Sequence, residues 1–236
     1  MDTRVGLPVY PLCGPATNVA ALADLRRAVD EAGWEVPVHE ITGWHVHPEY
    51  TALRADGVRA LCAAEGIDLE DDGTVLVFSA HGTPLRYLRE GSRYDLYVDD
   101  HCRRLADALG VDDYVLGFQN HSNRPGVEWT QPDIDAAVRG IEGERIVVVP
   151  VSFMHEQSET LAELDHELRE EAEAVGLGFH RVPIPYDDPR FAALLADLVE
   201  PFTDGKNPAD LGFGQCRCRP VPGTLCLNHR LEREKA

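Results

Sequence analysis

Thr74–Ser79 reads TVLVFS, six residues that are apolar or β-branched at nearly every position and do not alternate with polar ones. A strand buried on both faces is written this way, because neither face meets water. The same text recurs at Tyr114–Phe118 (YVLGF), Arg145–Val151 (RIVVVPV) and Phe179–Pro183. Between these runs the apolar spacing becomes helical: Tyr97–Leu109, Asp133–Arg139 opened by Pro132, Glu159–Ala174 stopped by Gly176, and Pro189–Val199. Strand followed by helix, four times in succession, predicts an α/β fold whose parallel, Rossmann-like sheet lies between two helical layers with right-handed crossovers.

Upstream the rhythm is thinner. A strand near Val5–Tyr10, a helix Val19–Ala32 capped by Asn18 and ended by Gly33, a proline-broken strand Glu35–Ile41 and a helix Tyr50–Glu65 make two units, too few to cover a sheet. Downstream of Phe202 periodicity gives way to a Cys/Arg/Pro-rich stretch that reads as an appended loop. The expected organisation is a partial α/β domain over residues 1–70, a complete α/β domain over 71–203 and a cysteine-rich tail over 204–236.

Composition narrows the function classes. The chain has 236 residues, 44% hydrophobic and 27% charged, which suits a globular core and excludes collagen, coiled coil and disorder. Its formal net charge of −19 argues against nucleic acid or an anionic membrane as a general partner. No apolar run reaches spanning length and residues 1–15 lack a leader pattern, so a cytoplasmic location is expected, with peripheral membrane contact left open. Six cysteines in such a chain point to metal chemistry or buried thiols before disulfides.

In open α/β sheets ligands bind beyond the carboxyl ends of the strands. Here those ends read Ser79-Ala80-His81-Gly82-Thr83-Pro84, then Gln119-Asn120-His121, then Pro150 to Phe153 leading to Glu159. An imidazole and a carboxylate at neighbouring strand ends suit proton transfer or metal binding. Glu159, Glu163 and Glu167 recur at a spacing of four, which places them on one helical face. That face is either a solvated acidic surface or a ladder of hard oxygen ligands for a divalent cation. Trp129 precedes a helix as a core ring, a lid or a platform for a flat ligand. Trp44, His45 and His47 read as loop residues and hydrogen-bond donors. Cys216, Cys218 and Cys226 supply three thiolates, and Cys13 is the best fourth; four cysteines suit a two-iron cluster or a structural zinc, with His229 replacing Cys13 in a zinc site.

Taken together, Leu7-Pro8-Val9-Tyr10-Pro11, the segment from Phe78 through SAHGTP, Phe118-Gln119 with Trp129 and Pro132, Val149-Pro150-Val151-Ser152-Phe153, and Glu159 to Glu167 (ETLAELDHE) resemble the ferrochelatases. The resemblance runs from about residue 5 to about 200. It implies insertion of ferrous iron into a porphyrin, protoporphyrin or coproporphyrin, with His81 and Glu159 catalytic. By the same resemblance, His81, Glu159, Glu163 and Glu167 are the residues that meet the incoming metal. Ser79, Gln119 and Trp129 are expected at the porphyrin, with Arg86 or Arg124 for its propionates. Cys13, Cys216, Cys218 and Cys226 match in kind a two-iron (2Fe-2S) centre found in some members. Relative to the family the chain looks shortened at its amino terminus, and its Gln119–Trp129 loop is longer and more polar than usual. A related cobalt or nickel chelatase and a non-catalytic porphyrin or metal carrier are the rival expectations.

Overall fold

The structure, a computed structural model, describes residues 3–120 and 125–232. Its centre is a four-stranded, all-parallel sheet in the order β4-β3-β5-β6, made from β3 (Thr74–His81), β4 (Val115–Gln119), β5 (Arg145–Pro150) and β6 (Gly178–Arg181). The run quoted first becomes β3, flanked on both sides, and its non-alternating composition follows from that position. Leu76, Phe78 and Ala80 pack on one face with Ala55, Val58, Tyr97, Val98 and Leu105. Val77 packs on the other with Ile134, Val138, Leu164 and Leu168. The three-layer α/β expectation is therefore met.

On the first face lie α2 (Pro48–Glu65) and α4 (Tyr94–Leu109). Each ends at a glycine in the left-handed region, Gly66 and Gly110, that stops the helix. The second face carries α5 (Ile134–Arg139) and α7 (Arg169–Ala174), the former capped by Asp133, which accepts from the amides of Asp135 and Ala136. At Gly117 an added Cβ would lie 2.7 Å from the Cα of Ile134, so this strand residue is what lets α5 approach β4. A short α3 (Leu85–Arg89) follows β3.

A second sheet has the order β1-β2-β8-β7, from β1 (Arg4–Gly6), β2 (Val38–Ile41), β7 (Gly214–Gln215) and β8 (Thr224–Cys226). The first three are parallel and β7 runs antiparallel to β8. The stretch after Phe202, which composition reads as an appended loop, thus supplies two strands. Two residues of pairing leave too short a period to see in sequence, and the partner strand lies some 180 residues away. Helix α8 (Pro189–Thr203) covers this sheet, with Leu194, Leu198 and Phe202 against Ile41 and Trp44.

Two local expectations are corrected. Asn18 does not cap α1 (Ala20–Glu31); it lies within a wide turn, Pro15–Val19, and its buried amide donates to the carbonyl of Tyr10 at 2.9 Å. The single helix expected over Glu159–Ala174 is divided into α6 (Ser158–Leu161), a π-helical turn Glu163–Leu168 and α7. Leu164, Leu168 and Ala172 are buried at intervals of four, and the widened turn keeps that row on the sheet.

Candidate functional site

His81 closes β3. Its Nδ1 lies 2.7 Å from the carbonyl of Gly82, and because a carbonyl only accepts, Nδ1 carries the proton. Neutral His81 therefore keeps the Nε2 lone pair for a proton or a metal. The ring lies 6.0 Å from that of Phe153.

The carboxylates come from the turn beyond β5. Glu163 is sheltered by burial, and this, together with the charges of Glu159 and Glu167, raises its proton affinity above the ordinary glutamate value; the Gln119 amide and His81 pull the other way. Glu159, Glu163, Glu167 and His81 are thus close enough to act on one another. Gln119 fixes the arrangement from below: its Nε2 donates to the Glu159 carbonyl at 2.8 Å and to Glu163 Oε2 at 3.1 Å, while its Oε1 accepts from Ser79 Oγ at 2.6 Å. Ser79 and Gln119 are both buried. Among the described residues no arginine or lysine pairs with Glu159, Glu163 or Glu167, whereas Glu171, further along the row, is paired with Arg139 at 2.9 Å.

Trp129 is carried to the same strand end. The amide of Thr130 donates to Thr83 O at 3.0 Å and that of Leu85 to Glu128 O at 2.8 Å, so residues 128–130 run antiparallel to 83–85. Arg86 is exposed on α3, its guanidinium over the Tyr87 ring at 4.9 Å. His121 and Arg124 lie outside the described residues.

Two residues not singled out as candidates also stand at this site. Tyr94, at the start of α4, donates to the His81 carbonyl at 3.0 Å, and Ser152 accepts the His81 amide at 3.0 Å. Ser152 stands in a strand-end segment that marks the site, whereas Tyr94 lies ahead of the helix expected over Tyr97–Leu109, which the structure begins at Tyr94.

A second constellation joins the tail to the loop after β1. The sulfurs of Cys13, Cys216 and Cys218 lie within 4.8 Å of one another. Cys226 adjoins Cys216, whose thiol is pushed far down because Cys13, Cys218, Cys226 and Thr42 all donate towards it. The Thr42 hydroxyl is 3.0 Å from Cys216 Sγ and that of Tyr97 is 3.4 Å from Cys218 Sγ. His229 instead turns its Nδ1 to the Cys226 carbonyl at 3.1 Å, leaving the cluster to Cys13. The tail can dock here because residue 43 is glycine: a Cβ there would fall 2.2 Å from Asn228 Nδ2. The described cysteines form no disulfide.

The family model described as Ferrochelatase matches residues 1–202. The chain belongs to the ferrochelatase family. Among ferrochelatases similar to it, the coproporphyrin III ferrochelatase of Mycobacterium bovis is 33% identical over 208 residues, 86% of this chain and 58% of that protein. A ferrochelatase of Synechococcus sp. is 37% identical over 210 residues, 85% of this chain and 52% of its own length. The chain thus spans a little over half the length of these curated relatives. Among solved structures, CbiX, described as the terminal enzyme for biosynthesis of siroheme in denitrifying bacteria, matches with a TM-score of 0.56 at 19% identity, over 83% of this chain and 74% of that one, a likeness of fold. None of the described helices is long and apolar enough to cross a membrane.

Proposed function

We propose that this chain is a ferrochelatase that inserts Fe2+ into coproporphyrin III or protoporphyrin IX. The observation that carries the reading is the placing of His81, whose Nδ1 bonds the Gly82 carbonyl, beside Glu159, Glu163 and Glu167, which have no arginine or lysine partner among the described residues, at adjacent carboxyl ends of a parallel sheet. Metal insertion removes two pyrrole protons and delivers one dication. A neutral imidazole with a free lone pair suits the first task, and a row of carboxylates that meets no basic side chain among the described residues suits the second.

In this reading His81 takes a pyrrole proton, Glu159 guides the cation or accepts the second proton, and Glu163 and Glu167 lead the metal in from solvent. Trp129 offers a ring to the macrocycle and Arg86 a cation to a propionate. Ser79 and Gln119, being buried, shape the floor of the site and hold the carboxylates. Cys13, Cys216, Cys218 and Cys226 would hold a two-iron cluster or a zinc ion; all-sulfur donation with hydroxyls beside two of the sulfurs fits both. A cluster supplies one-electron redox chemistry, whereas zinc supplies a crosslink.

Anaerobic incubation of the purified chain with Fe2+ and each porphyrin tests the reading. Metalloporphyrin is expected to form, and His81→Ala to abolish insertion while porphyrin still binds. Insertion by His81→Ala at the parent rate would sink the assignment. The fold shared with CbiX keeps one rival in play, a chelatase for cobalt or nickel and another tetrapyrrole. Turnover with those metals and none with iron would favour it. A visible spectrum recorded before substrate is added separates the iron cluster, which absorbs, from colourless zinc.

A further inference from the structure

The peptide of His81 is held in an unusual way. Ser79 O accepts from the Val151 amide at 2.9 Å, so Ser79 faces β5, and by strand alternation His81 faces it too. The ladder with β5, however, ends at the pair Ser79 and Pro150. Two side-chain hydroxyls stand where the next two ladder bonds would be. The His81 amide donates to Ser152 Oγ at 3.0 Å, and the His81 carbonyl accepts from Tyr94 Oη at 3.0 Å. The two hydroxyls are 2.8 Å apart. A phenol has one proton and a carbonyl has none, so the direction of every bond follows: His81 N–H to Ser152, Ser152 O–H to Tyr94, Tyr94 O–H to His81 O. The circuit begins and ends on one residue, and each hydroxyl gives once and accepts once.

We propose that Tyr94 and Ser152 are positioning residues for metal insertion, a hydrogen-bonded clamp that sets where the His81 imidazole stands. This rests on the reading of His81 as the base. The clamp gathers three elements at one peptide, namely the end of β3, the turn after β5 and the first turn of α4. Each part is itself anchored. Tyr94 is 8% exposed. The turn bearing Ser152 is held by the guanidinium of buried Arg54, which donates to the carbonyls of Pro150 and Phe153. Burial also keeps the Tyr94 phenol protonated, as its donor role requires. The ring's own bond, Nδ1–H to Gly82 O, closes on the carbonyl of the next residue, so freeing the His81 peptide frees the tautomer as well.

The test uses Tyr94→Phe, Ser152→Ala, Ser152→Thr and the double variant Tyr94→Phe/Ser152→Ala in the full chain. Each hydroxyl deletion is expected to lower kcat for iron insertion by about tenfold to a hundredfold, the cost of an ångström-scale misplacement, with porphyrin KM unchanged. Ser152→Thr restores the hydroxyl and should restore kcat. The double variant should be little worse than either single, because one break already opens the circuit. Unchanged kcat in both single variants, or losses that multiply in the double, would overturn the clamp. Nitrogen NMR of the His81 imidazole, assigned by its disappearance in His81→Gln, reads the same question without turnover. The parent should show the Nδ1–H tautomer and Tyr94→Phe a mixture. A parent chain that inserts no metal while its variants lose the tautomer would refute the functional reading and leave the clamp standing. Retention of the tautomer in both single variants would refute the clamp.

Discussion

Glu163 stands half-sheltered beside His81 with an acidic neighbour on either side, and its raised proton affinity is a statement about stability as well as chemistry. A carboxyl whose folded pKa exceeds its unfolded one favours the fold only while protonated; its charge opposes the fold increasingly as pH rises through that interval. Glu163→Gln removes the charge and retains an acceptor for Gln119. It should therefore raise the melting temperature at pH 7. The gain should vanish as pH falls below the unfolded glutamate value. Thermal unfolding at pH 7 and pH 4 checks this, and a gain that grows on acidification would contradict the shelter described. At this scale the sequence already singles out His81, Glu159, Glu163 and Glu167 by type and spacing. It marks Ser152 only as part of a strand-end segment and is silent about Tyr94, because a hydroxyl aimed at a backbone atom leaves no pattern in its own neighbourhood.

Among the elements, α4 and the tail each depend on a buried carboxylate. Asp100 of α4 is 1% exposed; it accepts from neutral His45 at 3.0 Å and pairs with Arg103 and Arg104, each at 2.6 Å. Burial alone would raise its pKa, but the His45 and Arg104 bonds outweigh burial and hold it well below the aspartate range. Its contribution is complete above the unfolded value, near ~4, and is lost as pH falls through the folded one. Asp100→Asn should cost about 3 kcal/mol at pH 7, as breaking a buried pair does, and progressively less in acid. Urea unfolding at pH 7 and pH 3 measures both. In the tail, Glu40 of β2 receives Arg26 at 2.6 Å, Arg219 at 2.8 Å and the hydroxyl of Thr224. Burial again works against this charge, and the three donors overcome it. Arg219→Ala should loosen β8 from β2 and reduce the metal retained by the cysteines after dialysis, measured as metal per chain. Full retention would show that the thiols seat the tail unaided. None of this network is legible in sequence, since Glu40 and Arg219 lie in unrelated stretches.

Across the whole molecule, a metal held by the four cysteines would tie residue 13 to residues 216–226 and so close a loop of nearly the entire chain. By analogy with a covalent crosslink, closing a loop of that length is worth on the order of 4 kcal/mol. Stripping metal with a strong chelator should accordingly lower the melting temperature by about 10 °C. Readdition of the same metal should restore it. An unchanged melting temperature would mean that β8, α8 and the Glu40 network hold the tail alone.

Periodicity and strand-end chemistry alone determined the parallel sheet, the three layers and the neighbourhood of His81 and the glutamates, because these depend on residues near one another in the chain or at repeated places in a β/α unit. Sequence also named Cys13 beside Cys216, Cys218 and Cys226, with His229 as the alternative in a zinc site, and the structure brings the sulfurs of Cys13, Cys216 and Cys218 within 4.8 Å of one another. Only the tertiary structure decided that the tail completes the second sheet, that a π turn carries Glu163, and that Tyr94 and Ser152 close on the backbone of His81. The first and last of these join residues far apart in sequence through a few bonds, and the π turn answers to the sheet it packs on; contacts of that kind are set by packing rather than by local pattern.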